Sequence, residues 1–178
     1  SAFGLGFLSS VFDNIPLMAA IPEARRALED VGLADEIDLV VAGGIRNGGD
    51  VAKALALGAK AVALGHSVLM ALNCNKEIPG VTDYEGTVGV PAGSCYHCHT
   101  GRCPVGVATQ DPELRKRLIV SEAAERVYNF LHTLTLEVQM LARACGKTNI
   151  HSLEPEDLCA LTVEAAAMAR VPLAGTSW

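Results

Sequence analysis

Residues 37–67 read IDLVVAGGIRNGGDVAKALALGAKAVALGHS, and this stretch decides the fold. It contains two mainly apolar runs, at residues 37–42 and 61–64, and each run leads into glycine. Such runs are typical of strands buried on both faces. Between them, Asp50 opens a predicted short helix and Gly58 ends it. The helix residues expected to face inward are Val51, Ala54 and Leu55. This β-α-β order with short connections predicts a pair of parallel strands.

The glycines after the two strands predict a phosphate site. The carboxyl ends of neighbouring parallel strands lie at the same edge of a sheet, and backbone without a Cβ atom lets a phosphate approach there. N–H groups at the start of the following helices point toward such an anion. The glycines can also serve only to permit tight turns, but two of them at this spacing favour phosphate. The candidate contacts are Gly43, Gly44, Ile45, Arg46, Gly65 and His66.

A second candidate site is a group of cysteines. Four of the six cysteines fall within one 30-residue stretch, namely Cys74, Cys95, Cys98 and Cys103. Clustered close spacing favours a metal centre over disulfides in a protein without secretion signals. Thiolates in such a loop can bind an iron–sulfur cluster, and Pro104 directly after the last cysteine is typical of ferredoxin-type runs. Three cysteines with His97 or His99 can bind zinc instead, and the spacing leaves both alternatives open.

The remaining sequence predicts helices around a long loop. A first helix is expected over residues 20–31, with Pro22 in its first turn and Gly32 ending it. Residues 75–94 contain repeated glycine and proline, which predicts a loop or excursion. Asp111 is the predicted cap of a helix that begins with proline.

Two further helices are predicted in the C-terminal third. An apolar stripe predicts one long helix that ends at Gly146, and the last helix is expected over residues 155–169. Cys145 and Cys159, on these helices, are interpreted as small core residues. The stripe consists of Val120, Ala124, Val127, Leu131, Leu134, Val138, Leu141 and Cys145.

Composition and charge exclude several classes of function. The chain has 178 residues, half of them hydrophobic, and a net charge of -6 with scattered basic residues. A nucleic-acid partner is therefore not expected, because phosphate-backbone binding needs a basic patch. No apolar run has the length of a membrane span and no signal peptide is recognisable, so we expect no membrane association and a cytoplasmic location. One α/β domain is expected.

Three stretches resemble the flavin-binding barrel of glutamate synthase. Residues 41–46 (VAGGIR), 50–59 (DVAKALALGA) and 63–65 (ALG) are similar to strands seven and eight of that barrel. Residues 98–112, CHTGRCPVGVATQDP, are similar to its iron–sulfur segment. The resemblance covers roughly residues 38–145.

The resemblance implies a fold, cofactors and an activity. The fold is the C-terminal portion of a (β/α)8 TIM barrel with an iron–sulfur loop and C-terminal helices, over residues 20–72, 73–110 and 111–178 of one 1–178 domain. Because this fold needs about 250 residues and eight strands, the missing strands are expected from a longer chain or from another polypeptide. The activity is that of an FMN-dependent, iron–sulfur oxidoreductase that acts on CH-NH2 donors and forms L-glutamate from 2-oxoglutarate and ammonia or glutamine. Its implied partners are an electron-donor subunit or ferredoxin and a glutaminase domain or subunit.

The cysteines depart from the family pattern. About 20 extra residues separate Cys74 from Cys98, and Cys95 is additional. We expect a 3Fe-4S cluster on Cys74, Cys98 and Cys103; Cys95 as a replacement for Cys74, or a 4Fe-4S cluster on all four, is the alternative. Residues 96–102 (YHCHTGR) resemble the N-methylglutamate synthase (methylamine–glutamate N-methyltransferase) large subunit, which is the alternative activity. A zinc-binding module without catalysis is the alternative from another class.

Overall fold

The chain is organised as two compact units. The computed structural model describes residues 15–74, 78, 85–86, 89 and 95–176. The first unit comprises residues 1–65 and 132–178, and the second comprises residues 66–131. The predicted division into segments 20–72, 73–110 and 111–178 stays a prediction, and most of the loop predicted at residues 75–94 lies outside the described residues.

The first unit contains the predicted β-α-β motif. Strand β1 (Val40–Ala42) and strand β2 (Ala61–Ala63) pair in parallel and are joined by helix α2 (Gly48–Ala56), which follows helix α1 (Ile15–Asp30). The parallel prediction is confirmed, although both strands are shorter than expected. Gly58, at φ 108°, ends α2 as predicted, because its N–H and that of Ala59 bond back to the last turn.

The two strands are covered on one face only. Val41 is buried and Val62 packs against the same core, whereas Val40 on the other face is 63% exposed. The prediction of burial on both faces is therefore wrong within the part of the chain that the structure describes. The other residues on the uncovered face are Ala42, Ala61 and Ala63.

Helices α1, α2 and α6 (Val163–Ala169) cover the buried face of the strands. Their shared core consists of Ile21, Val41, Ala54, Leu57, Ala59, Ala160 and Val171. Helix α1 begins five residues earlier than predicted and carries Pro22 inside it, where one backbone hydrogen bond is lost because proline has no N–H. Gly32, at φ 73°, ends this helix as predicted.

The last predicted helix is interrupted. Residues Pro155–Asp157 form a 3-10 turn, and α6 begins only at Val163 with Thr162 as its cap. Between them Ala160 bridges to Leu173 in parallel, which pulls this segment out of helical geometry. Cys159 lies in this segment and is exposed, so its interpretation as a core residue is wrong.

The long predicted helix is present as α5 (Val120–Ala144), and Gly146 follows its end. Its buried residues differ from the predicted stripe, since Val120, Leu131 and Leu141 are exposed. Three of the buried side chains recur every fourth residue, so a narrower row than predicted is covered. The buried residues are Ala123, Leu134, Val138 and Ala142. Cys145 is also exposed, so its interpretation as a core residue is wrong.

The second unit contains short elements around the cysteines. They are helix α3 (His66–Ala71), a 3-10 turn at His97–Thr100 and helix α4 (Pro112–Arg115). Asp111 caps α4 as predicted, because its carboxylate accepts the N–H groups of Glu113 and Leu114 at 2.8 and 3.2 Å. No helix among the described residues is long and apolar enough to cross a membrane.

Candidate functional site

The glycines at the ends of β1 and β2 lie at one edge of the sheet. Ala42 pairs with Ala63, so the residues that follow these two strands emerge side by side. Gly43 and Gly44 have φ angles of 110° and 66°, a backbone region that favours glycine. We call residues 43–46 together with Gly65 the glycine rim. The sequence prediction that the two glycine turns follow neighbouring parallel strands is confirmed.

The glycine rim is joined to α2 by hydrogen bonds around its first turn. The side-chain oxygen of Asn47 caps the helix by accepting the N–H of Asp50 at 3.0 Å. The Asp50 carboxylate turns back and accepts the N–H of Arg46, also at 3.0 Å. Asp50 was predicted to open the helix, but it lies in the first turn, only 7% exposed. The cap was missed, although Asn three residues before a carboxylate is a recognised start signal.

A distant carboxylate also contacts this turn. The N–H of Gly48 donates to Oε2 of Glu137 on α5 at 2.6 Å. Gly48 is buried, and a Cβ atom there would collide with the Glu137 side chain and lie 2.9 Å from both the Leu134 carbonyl oxygen and the Val138 nitrogen. Sequence analysis did not identify Glu137, because 89 residues separate it from its partner and no local pattern marks the pair.

The residues after β2 are more open. Gly65 is exposed and has open space where a Cβ atom would lie, and His66 at the start of α3 is exposed as well. The hydroxyl of Ser67, the next residue, is buried and makes no hydrogen bond within the described part of the chain. His66 and Ser67 belong to the second unit.

The four clustered cysteines converge within the second unit. Cys103 is buried with Ile78 and Val105, and Cys74 and Cys95 pack against that small core. Cys98 is exposed on the 3-10 turn. All four thiols are free of disulfide bonds. The structure therefore brings together the residues that the spacing singled out.

The neighbouring thiols also influence the pKa of Cys74. Burial raises the pKa of the Cys74 thiol, and its neighbours Cys98, Cys103 and Cys95 raise this pKa further. Four adjacent thiolates would repel one another, so a shared positive group is needed to stabilise them in the charged form. Among the described residues, however, no three His, Cys, Asp or Glu side chains are arranged to hold a single metal ion.

Hydrogen bonds between residues close in the sequence hold the loop that carries Cys98 and Cys103. The Thr109 hydroxyl donates to the Gly101 carbonyl oxygen, and Arg102 and Thr109 form an isolated antiparallel bridge. The Arg117 guanidinium donates to the Pro104 carbonyl oxygen at 2.7 Å. Gly106, at φ 85°, lies directly against the backbone of residues 114–118, where a Cβ atom would collide with the Leu114 carbonyl oxygen.

Comparison with known proteins gives one consistent result. Residues 9–148 match the family model described as the conserved region in glutamate synthase. A glutamate synthase large subunit-like protein from Rhizobium meliloti is 54% identical over 165 residues, which cover 93% of this chain and 37% of that protein. An archaeal glutamate synthase (NADPH) from Methanocaldococcus jannaschii is 38% identical over 153 residues, which cover 84% of this chain and 26% of that protein. No solved structure matches. The chain thus spans about a quarter to a third of these relatives.

Proposed function

The chain belongs to the glutamate synthase family, and from that premise we propose that it forms part of the flavin and iron–sulfur region of a glutamate-synthase-type oxidoreductase. The observation that carries this proposal is the convergence of Cys74, Cys95 and Cys103 on one small core, with Cys98 close enough to Cys74 to raise its pKa. The activity belongs to the full-length protein, because this chain corresponds to a minor part of its relatives.

The proposed fold of the full-length protein is a (β/α)8 barrel. Parallel strands are normally covered on both faces, yet one face of the β1–β2 pair is apolar and exposed. In a closed barrel this face would point inward and pack against side chains of the remaining strands. The uncovered residues Val40 and Ala42 are small enough for such a core, which supports the proposal.

The glycine rim is the proposed site for the phosphate of FMN. Its contacts would come from Gly43, Gly44, Ile45, Arg46, Gly65 and His66. The positive φ angles of the two adjacent glycines and the open space beside Gly65 fit a backbone that approaches an anion. The N–H of Arg46 already donates to Asp50, so this residue would contribute through its exposed side chain. When bound, FMN supplies hydride chemistry and the cluster supplies single-electron transfer.

The proposed cluster is 3Fe-4S, held by Cys74, Cys98 and Cys103, with Cys95 as the alternative or fourth ligand. Pro104 directly after Cys103 and the close spacing of the cysteines are typical of iron–sulfur segments, which favours an iron–sulfur cluster over zinc. In that arrangement Cys103 would be the buried ligand of the cluster and Cys98 the exposed one.

The proposed reaction is reductive formation of L-glutamate from 2-oxoglutarate, with nitrogen from ammonia or from a glutaminase domain or subunit. An electron-donor subunit or ferredoxin would reduce the cluster. Curated relatives bear the name glutamate synthase (NADPH), which supports a reduced nicotinamide as the source of electrons. The sequence of residues 96–102 favours N-methylglutamate formation as the second candidate.

The test is chemical analysis of the purified full-length protein and two cysteine variants. We expect yellow and brown absorbance, extractable FMN, and iron and acid-labile sulfide in the ratio of a 3Fe-4S cluster. Cys103→Ser should lose the iron, whereas the control Cys145→Ser should keep it because Cys145 lies outside the cysteine core. A colourless protein that contains zinc would refute the proposal. Product analysis with ammonia and with methylamine then distinguishes glutamate from N-methylglutamate formation.

A further inference from the structure

We propose that Glu137 is a positioning residue that holds the glycine rim in the conformation that binds the flavin phosphate. This inference rests on the function proposed above for the rim. Glu137 does not need to touch the phosphate. It acts through Gly48, the first residue of α2 and the second residue after Arg46.

The contact between α5 and α2 is close and specific. The N–H of Gly48 and the carboxylate of Glu137 are 2.6 Å apart, a short hydrogen bond in which the acceptor carries charge. A side chain at Gly48 would meet both the Glu137 side chain and the α5 backbone at Leu134 and Val138. The start of α2 is therefore seated on α5, and Glu137 supplies the polar contact at that point.

A second carboxylate acts on the same turn from inside α2. Asp50 accepts the N–H of Arg46, and Asn47 accepts the N–H of Asp50. With the Glu137 contact, every second N–H group from residue 46 to residue 50 has an acceptor within the protein. These are the N–H groups of Arg46, Gly48 and Asp50. These three groups fix the C-terminal end of the rim.

Fixing that end matters because the rim contains adjacent glycines. Gly43 and Gly44 have more backbone freedom than other residues, so ordering them around a ligand costs conformational entropy. The pairing of β1 with β2 holds the rim at Ala42, and Glu137 and Asp50 hold it at its other end. A rim that is already ordered binds its ligand more tightly because this cost has been met on folding.

The opposite expectation also follows from simple electrostatics. A carboxylate at the start of a helix opposes an anion and competes with it for N–H donors. If competition outweighs ordering, removal of Glu137 strengthens phosphate binding. The two effects predict opposite signs, and the proposal commits to weaker binding.

The test compares Glu137→Ala, Glu137→Gln and the control Glu125→Ala in the full-length protein. Glu125 is an exposed glutamate on the same helix. Hydrogen exchange of residues 43–50 reports on the contact without any flavin, and the ratio of FMN affinity to riboflavin affinity reports on the phosphate alone. A residue with only a structural role would change stability but not this ratio.

In Glu137→Ala we expect exchange at least about tenfold faster and an FMN preference reduced about fivefold or more, as loss of a charge-assisted hydrogen bond implies. Glu137→Gln, which keeps an acceptor oxygen, should lie between this variant and wild type. Unchanged exchange, an unchanged FMN-to-riboflavin ratio or tighter FMN binding would each overturn the proposal. A wild-type protein that does not prefer FMN to riboflavin would instead refute the phosphate site itself, and the positioning role with it.

Discussion

The glycine rim differs from the cysteine loop, the segment of residues 98–118 that carries Cys98 and Cys103. The two regions are held by contacts between residues at different distances along the chain. Next to the rim, Gly48 bonds to Glu137 across 89 residues, and Val41 in β1 packs with residues from the C-terminal segment. In the cysteine loop, Thr109 bonds to Gly101 only 8 residues away, and Arg117 to Pro104 only 13 away. The hydrogen bonds that hold this loop are therefore local in the sequence. The rim depends on helices from both ends of its unit.

This difference predicts where each region is vulnerable. A loop held by local contacts should lose stability when a single close backbone contact within it is disrupted, and the loss should be confined to that segment. The rim should lose stability when a distant helix can no longer pack against α2, and the loss should appear in both of the packed segments. Variants of one glycine in each region test this contrast.

The largest effect is expected for Gly106→Ala in the cysteine loop. The new Cβ atom would collide with the Leu114 carbonyl oxygen, and alanine is also strained at φ 85°. Together, overpacking and left-handed strain should cost about 3 kcal/mol of local stability. Native-state hydrogen exchange of the full-length protein should show this loss in residues 101–118 and leave α2 unchanged.

Gly101→Ala is the matched control for this experiment. Gly101 also has a positive φ, 72°, but open space surrounds the position of its missing Cβ atom. Its substitution should cost only about 1 kcal/mol, the strain of the backbone alone. Equal effects at the two glycines would show that the close approach of Gly106 to residues 114–118 is unimportant.

A smaller but longer-range effect is expected for Gly48→Ala, next to the rim at the start of α2. The Cβ atom would push α2 away from α5, at an expected cost of about 2 kcal/mol. Faster exchange should appear in two places, residues 43–56 and the half of α5 around Val138. The adjacent Gly49→Ala should cost less, since its Cβ atom would lie 3.2 Å from the Asn47 side-chain oxygen, so this cap has to shift by only a few tenths of an ångström. Exchange that changes in α2 alone would mean that both regions are supported locally.

The same difference in range explains what the sequence could predict. The Asp111 cap and the glycine helix ends were predicted correctly, because each depends on residues within a few positions of one another. The close spacing from Cys95 to Cys103 indicated the grouping of the cysteines, and Cys74 joins the same small core from further along the chain. The adjacency of the two glycine turns was predicted as well, because parallel pairing follows from the β-α-β order. Glu137 was not found, since its partner is far away along the chain.

Burial was predicted less well than secondary structure. Periodicity identifies an apolar side of a helix but not how much of it a neighbour covers, so Leu131 and Leu141 were expected inside and are exposed. Strand composition likewise predicted two covered faces, whereas Val40 lies on an open one. The last helix was predicted to be longer than it is. The bridge between Ala160 and Leu173 is a tertiary contact that competes with helical hydrogen bonds, and the sequence pattern does not show it.

The smallest effect is expected at an exposed ion pair of the first unit, where the distance along the chain between the contacting residues should have little influence on stability. Lys147, just after α5, contacts Glu154 at 3.0 Å and Asp157 at 3.6 Å. Its hydrogen bond to Glu154, aided by the charges of Asp157 and Glu154, raises the lysine pKa above its ordinary value. The stability it contributes is therefore complete below the ordinary pKa of about 10.4 and is lost as the pH rises through the higher value of the folded protein.

Lys147→Met should accordingly lower the stability of the contact between the end of α5 and the 3-10 turn slightly at pH 8. At a pH well above the raised lysine pKa the same substitution should make no difference. Unfolding of the full-length protein across this pH range measures both effects. Lys147→Arg is the matched control, because arginine keeps its charge over the whole range and should remove the pH dependence without removing the contact. A Lys147→Met effect of constant size at every pH would show that packing of the side-chain stem, rather than its charge, joins the end of α5 to the 3-10 turn at Pro155–Asp157.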